Sequence, residues 1–266
     1  MDKMNIGLVL SGGGMRGAAH VGAIKALEEH NIYPTYIAGT SAGAVVGGLY
    51  AHGYNCDEML LFFKTIQLLD YKKYAINKPG FIDAGKYYNF FKKKFPDDSF
   101  SVLKKKLFIT ATNITDGELQ IFSDGELIKP ILASSAFPGL FSPVIIKEKL
   151  YIDGGVLNNF PIELIKKDCD ILIGVYLNRF DTATNRDLKR FYNVIERAIN
   201  IRIAKSDEDK FLDFDLVIAP KNLAHYGLFD KSNIDAMFQI GYDNMNYALI
   251  NNPLRIKKQR LSTLQL

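Results

Sequence analysis

The chain has 266 residues, 48% apolar and 23% charged, a balance that supports a full core and excludes wholesale disorder. Its two cysteines, Cys56 and Cys169, are too few for a disulfide scaffold and lack C-x-x-C spacing, so they read as structural thiols. No stretch reaches the about 18 uninterrupted apolar residues of a membrane span, and the first residues carry no signal-peptide pattern; the expectation is a cytoplasmic protein, with peripheral membrane contact left open.

Ile6 to Leu10 reads as a buried strand that ends at a glycine cluster. Residues 18–30 follow as a helix with one apolar side, built on Ala18, Ala19, Val21, Ala23, Ile24 and Leu27. Tyr36 to Ala38 is a second short strand, and Ala42 to His52 a helix dense in small residues that can lie close on a sheet. Asp57 to Leu69 fits a helix and Asn77 to Gly80 a turn. Leu107 to Asn113 pairs with Glu118 to Phe122 across the Asp116-Gly117 turn. Leu127 to Ser135 makes a short helix, and Ile171 to Tyr176 and Leu216 to Ile218 are further buried strands. Two long helices close the chain. One carries Leu188, Phe191, Tyr192, Ile195 and Ile199 at helical spacing; the other starts at Ser232, with Asp235 three residues on as an approximate capping box. Strands alternating with helices imply an α/β domain with a mostly parallel sheet covered on both faces. Residues 1–266 read as one domain with an aromatic, lysine-rich insertion around 57–100.

Formal net charge is +4, but residues 61–110 hold eleven lysines against four acids, together with twelve of the 32 Phe and Tyr. Two roles fit this segment. Its rings and Lys92, Lys93 and Lys94 can form a rim toward anionic lipid, or the rings are core beneath a solvated face. Arg255, Lys257, Lys258 and Arg260 carry the same ambiguity. Nucleic-acid binding has only the lysine runs in its favour and no accompanying motif.

Three short segments carry chemistry. Gly39-Thr-Ser-Ala-Gly43 lies between a strand and a small-residue helix, the context of a nucleophile elbow that exposes the Ser41 hydroxyl. The positive end of the helix that follows favours negative charge there. Gly12-Gly-Gly-Met-Arg-Gly17 also joins a strand to a helix. It lacks the P-loop spacing, and although it matches G-x-G-x-x-G, Ile37-Ala38-Gly39 stands where a dinucleotide site needs an acid. Beside an elbow, the amides of Gly12, Gly13 and Gly14 make better sense as an oxyanion hole, with Arg16 adding charge or bracing the loop. The third segment is Asp153-Gly-Gly155, after Tyr151-Ile152. His20, His30 and His52 fall within helical patterns, so Ser41 is served either by Asp153 directly or by a triad of Ser41, Asp153 and His225.

In order and spacing these segments resemble the patatin-like phospholipase family, in particular its short bacterial members. Ala133-Ser-Ser-Ala-Phe-Pro-Gly-Leu-Phe-Ser-Pro-Val144 resembles a further family block, and the likeness runs from about residue 6 to 160. The resemblance implies a three-layer α/β/α sandwich and a Ser41–Asp153 dyad with the Gly12–Gly14 loop as oxyanion hole. It also implies a hydrolase of phospholipid, lysophospholipid or other acyl esters that needs neither metal nor organic cofactor. A carboxylesterase or thioesterase of small soluble esters is the alternative enzyme, and a non-catalytic interaction protein the alternative of another class.

Overall fold

The computed structural model describes residues 4–67, 75, 79–179, 182–185 and 188–252. In chain order, β1 (Ile6–Leu10) leads through a 3-10 turn at Gly14–Gly17 into α1 (Ala18–Glu29). Next come β2 (Tyr36–Thr40), α2 (Ala42–His52), α3 (Cys56–Thr65) and α4 (Tyr88–Lys92). The middle holds β3 (Lys106–Asn113), β4 (Glu118–Phe122), α5 (Ile128–Ser134), β5 (Val144–Ile146) and β6 (Lys149–Asp153). The last part holds β7 (Ile171–Val175), α6 (Phe191–Asp209), β8 (Leu216–Ile218) and α7 (Ile234–Asn251).

All eight strands join one sheet, in the order β5-β6-β3-β2-β1-β7-β8 with β4 also on β3. The five strands β8, β7, β1, β2 and β3 are mutually parallel; β4, β5 and β6 run antiparallel to their neighbours. The sheet is thus mixed around a parallel centre. Strand alternation divides the core between its faces: Leu8 and Leu10 belong to the large cluster shared with α1, α2, α3 and α7, while Val9 and Ala38 meet Phe160, Ile162 and Ile165 on the other side. The layers of this α/β/α arrangement are therefore unequal in depth.

Several boundaries differ from expectation for identifiable reasons. α3 begins one residue earlier than expected because Asn55 caps it in a full capping box with Glu58, and it ends at Thr65, where Ile66 turns extended to enter the core. The expected Ser232–Asp235 capping box is absent: α7 starts at Ile234 with no side-chain cap, and Asp235 instead pairs with Lys64. The β5–β6 hairpin has no sequence signal, since its turn is Lys147-Glu148, both at positive φ (48° and 65°) where glycine or asparagine is usual. Residues 77 and 78 of the expected turn and the basic residues from Arg255 to Arg260 lie outside the described residues.

Within the 57–100 segment most of the described aromatic rings are core, Phe81 being the exposed exception. Phe62, Phe63, Tyr87, Phe91, Phe95 and Phe100 are buried, whereas Lys92 and Lys93 are exposed. Phe91 and Phe95, the rings flanking Lys92–Lys94, therefore face the core. Both cysteines are buried and unpaired, and burial pushes each thiol up to about 12. Among the described residues no helix is long and apolar enough to cross a membrane.

Candidate active site

Sheet register brings the two central residues together. Thr40, the last residue of β2, lies opposite Thr110 of β3, and Asp153, the last residue of β6, lies opposite Ala111, the next residue along β3. Because β4 occupies the other edge of β3 across the same residues, β6 continues where β2 stops. The chain leaving β2 at Ser41 therefore meets the carboxylate at the end of β6. Ser41 Oγ donates to Asp153 Oδ2 at 2.7 Å.

Ser41 sits at φ 53° and ψ −119°, a strained backbone for a residue with a side chain, worth about 1–3 kcal/mol. The turn closes only with glycine on both sides: a Cβ on Gly39 would stand 2.4 Å from Gly43 O, and one on Gly43 2.1 Å from Leu10 O. The hydroxyl of Ser134, at the end of α5, accepts the Ser41 N–H at 2.8 Å and pins the strained residue.

Asp153 is almost fully buried, and burial pushes its carboxyl up from 3.8 to about 6, against the lowering pull of hydrogen bonds from Ser41 and Gly155. The Gly155 N–H donates to Oδ1 at 2.8 Å, leaving Oδ2 to the serine.

The glycine loop is braced at Gly12. Its N–H donates to Asn159 Oδ1 at 3.0 Å and its carbonyl accepts from Asn178 Nδ2 at 2.9 Å. The amides of Gly13 and Gly14 have no hydrogen-bond acceptor among the described residues. Gly14 adopts φ 58°, a left-handed backbone that favours glycine, and both glycines line the same cavity as Ser41. Arg16 does not point at Ser41. Its guanidinium pairs with Glu196 of α6 at 2.6 Å and donates to Asn178 Oδ1 at 3.1 Å, holding the asparagine that holds Gly12.

Gly12–Gly14, Ser41 and Asp153 form the polar end of a cavity of about 120 Å³. The rest of the wall is mostly apolar, from residues such as Val45, Phe62, Phe91, Leu132, Ile199 and Phe229, with Ser135, Asn159, Asn178, Glu196 and Asn200 as its polar members. His225 is exposed, in the turn Lys221–His225, and lines a separate polar hollow with Arg16 and Arg197. His20 is buried, with Nε2 2.8 Å from Ser11 O, and burial lowers it to about 4, so it is neutral at physiological pH.

The sequence alone singles out neither Asn159, Asn178 nor Glu196, and Ser134 enters only as part of the Ala133–Val144 block. Asn178 carried a usable signal, a polar residue just past a wholly buried strand end; Asn159 and Glu196 gain meaning only from packing.

The chain matches the family model for patatin-like phospholipases over residues 8–165. It is 34% identical over 186 residues to lysophospholipase NTE1 of Scheffersomyces stipitis, which covers 67% of this chain and 12% of that protein. Against lysophospholipase NTE1 of Kluyveromyces lactis the identity is 31% over 205 residues, 72% of this chain and 14% of the relative. The chain thus spans only a small fraction of the length of these relatives. In fold it is similar to VipD from Legionella pneumophila (TM-score 0.57, 17% identity, 94% of this chain and 67% of that one). It is also similar to the type III effector protein ExoU (TM-score 0.52, 14% identity, 95% of this chain and 54% of that one). With glycine loop, strained serine and buried aspartate all within the matched region, the chain belongs to the patatin-like phospholipase family.

Proposed function

We propose that the protein is a serine hydrolase of lipid acyl esters, of phospholipase A or lysophospholipase type, working through a Ser41–Asp153 dyad and an acyl-enzyme. The observation that carries this reading is the 2.7 Å Ser41–Asp153 hydrogen bond at the polar end of an apolar cavity. Such a cavity accepts an acyl chain by burying its methylenes, each worth about 0.8 kcal/mol.

Ser41 Oγ attacks the ester carbonyl carbon as its proton passes to Asp153 Oδ2. The carbonyl oxygen, now an anion, takes hydrogen bonds from the amides of Gly13 and Gly14, the donors of the Gly12–Gly14 loop that have no other acceptor. Collapse breaks the bond to the alcohol oxygen, which leaves with the proton from Asp153. Water then repeats the sequence on the acyl-enzyme: its proton goes to Asp153, the acid is released, and Ser41 recovers its hydrogen. An aspartate at its ordinary pKa is a weak base for this task, and the rise to about 6 improves the match. The relatives' name, lysophospholipase, supports a substrate with one acyl chain.

The test is hydrolysis of p-nitrophenyl esters of rising chain length beside phospholipid and lysophospholipid, with fluorophosphonate labelling and S41A as control. Long-chain and lysophospholipid turnover with labelling at Ser41 alone is expected. Label on another serine overturns the dyad, and turnover confined to short soluble esters establishes the carboxylesterase alternative.

A further inference from the structure

Helix α6 carries apolar side chains on two opposite faces. Ile199 and Ile203 turn inward and wall the cavity above Ser41. On the outside, Phe191, Val194, Ala198 and Ile201 follow one another at steps of three, four and three, which puts them in one stripe. The stripe is open to solvent: Phe191, Val194 and Ile201 are 47%, 50% and 60% exposed, and of the nineteen residues of α6 only Ile203 and Asp207 are buried. Phe81, 60% exposed, extends it with its ring 5.3 Å from that of Phe191.

Charge supplies a second, independent observation. Residues 189–206 contain Lys189, Arg190, Arg197, Arg202 and Lys205 against Glu196, which is turned inward on Arg16, and the other acids of α6 gather at its C-terminal end, where Asp207 is buried and Glu208 and Asp209 are exposed. Lys189, Arg190, Arg202 and Lys205 are exposed beside the stripe. An apolar stripe edged with basic residues suits an interface with acyl chains below and phosphates above.

We propose that the outer face of α6, together with Phe81, docks the protein on an anionic lipid bilayer, so that acyl chains enter the cavity beneath this helix. The proposal rests on the lipid-ester reading of the site. One helix diameter, about 10 Å, separates the stripe from the cavity wall, so docking by this face sets the bilayer beside the site. The lysines at 92–94 have no such stripe, since Phe91 and Phe95 are buried.

Partitioning of the full chain onto phosphatidylglycerol and phosphatidylcholine vesicles at low salt tests this, with p-nitrophenyl butyrate turnover reporting the soluble reaction. F191S/V194S/I201S is expected to lose roughly a hundredfold in phosphatidylglycerol binding, from partial exposure of three apolar side chains, with butyrate turnover within about twofold of wild type. K189Q/K205Q is expected to lose roughly tenfold on phosphatidylglycerol and little on phosphatidylcholine. If the triple variant fails to fold, as circular dichroism reports, I201S carries the same test with a smaller loss. Unchanged binding in a folded variant, or no binding by the wild type, overturns the proposal. So does a lipid-free dimer that the triple variant dissolves while vesicle binding persists, because the stripe then serves a second copy of the chain. Stripe-dependent binding without hydrolysis of any lipid ester leaves docking standing and removes the lipid-ester reading.

Discussion

Replacing Asp153 by asparagine separates its chemical role from its energetic one. Burial holds the carboxyl at about 6 instead of 3.8, and that interval corresponds to about 3 kcal/mol favouring the protonated form. In the unfolded chain the group ionises near its ordinary value. As pH rises from about 4 to 6, the native state keeps a proton that the unfolded state has lost, so stability falls through this window. Above pH 6 the full cost of the buried anion is present; below pH 4 it is absent. D153N removes the ionisation and is expected to be more stable than wild type at pH 8 by up to about 3 kcal/mol, with the gain vanishing toward pH 4. Urea denaturation of both proteins at pH 4 and pH 8 measures the difference. The same carboxylate sets the activity profile: wild-type kcat/KM on a soluble ester is expected to rise about tenfold per pH unit up to pH 6 and then level off, while D153N is nearly inactive throughout. A stability difference independent of pH, or a plateau that extends below pH 4.5, refutes the reasoning.

Four further outcomes follow from the geometry. G13A places a Cβ 2.8 Å from Leu177 Cδ1 and displaces the loop, so kcat should fall more than KM rises in steady-state assays. N159A leaves the buried Gly12 N–H without its acceptor, and chemical denaturation should show a loss of about 1–3 kcal/mol. H225A should keep kcat/KM within about threefold, because His225 is exposed and outside the Ser41 cavity; a loss of about 10³-fold would instead install it in a triad. K92Q/K93Q/K94Q should leave binding to anionic vesicles within about twofold, since the rings beside these lysines belong to the core.

Periodicity and turn chemistry made most of the parallel sheet legible. Ile6–Leu10, Ala42–His52 and Leu216–Ile218 were expected with the boundaries observed, because a buried strand or a small-residue helix states its environment in its own composition. The β5–β6 hairpin escaped notice because Lys147-Glu148 adopts a turn that its residue types disfavour, and packing overrides that preference. α6 runs ten residues beyond Ile199, the last position at which its repeat had been traced. The candidate dyad was legible as two motifs, yet their meeting depends on β6 continuing the line of β2 along β3, a long-range register that no local pattern encodes. The aromatic segment shows the converse failure. Composition cannot distinguish rings facing a core from rings facing lipid, whereas the exposed stripe of α6 looked like an ordinary amphipathic helix.

The glycine loop depends on that helix through the carbonyl of Gly12. Gly12 O is held by Asn178, which Arg16 holds in turn, and Arg16 is paired with Glu196 of α6. Gly12 N–H is held by Asn159, which makes no hydrogen bond to α6 but lies near its buried Asp207, whose carboxyl burial pushes up to about 6. Lys210, just past the helix, lies 3.8 Å from that carboxylate and donates to Phe160 O at 3.0 Å. The helix that walls the cavity is therefore also the anchor of the loop beside Ser41. Preorganised donors stabilise a developing oxyanion because they are already oriented when charge appears. Fixing Gly12 at both ends orients the next two amides without using either of them as a brace. Through Glu196, a solvent-exposed helix with little burial of its own braces the loop on which the proposed chemistry depends.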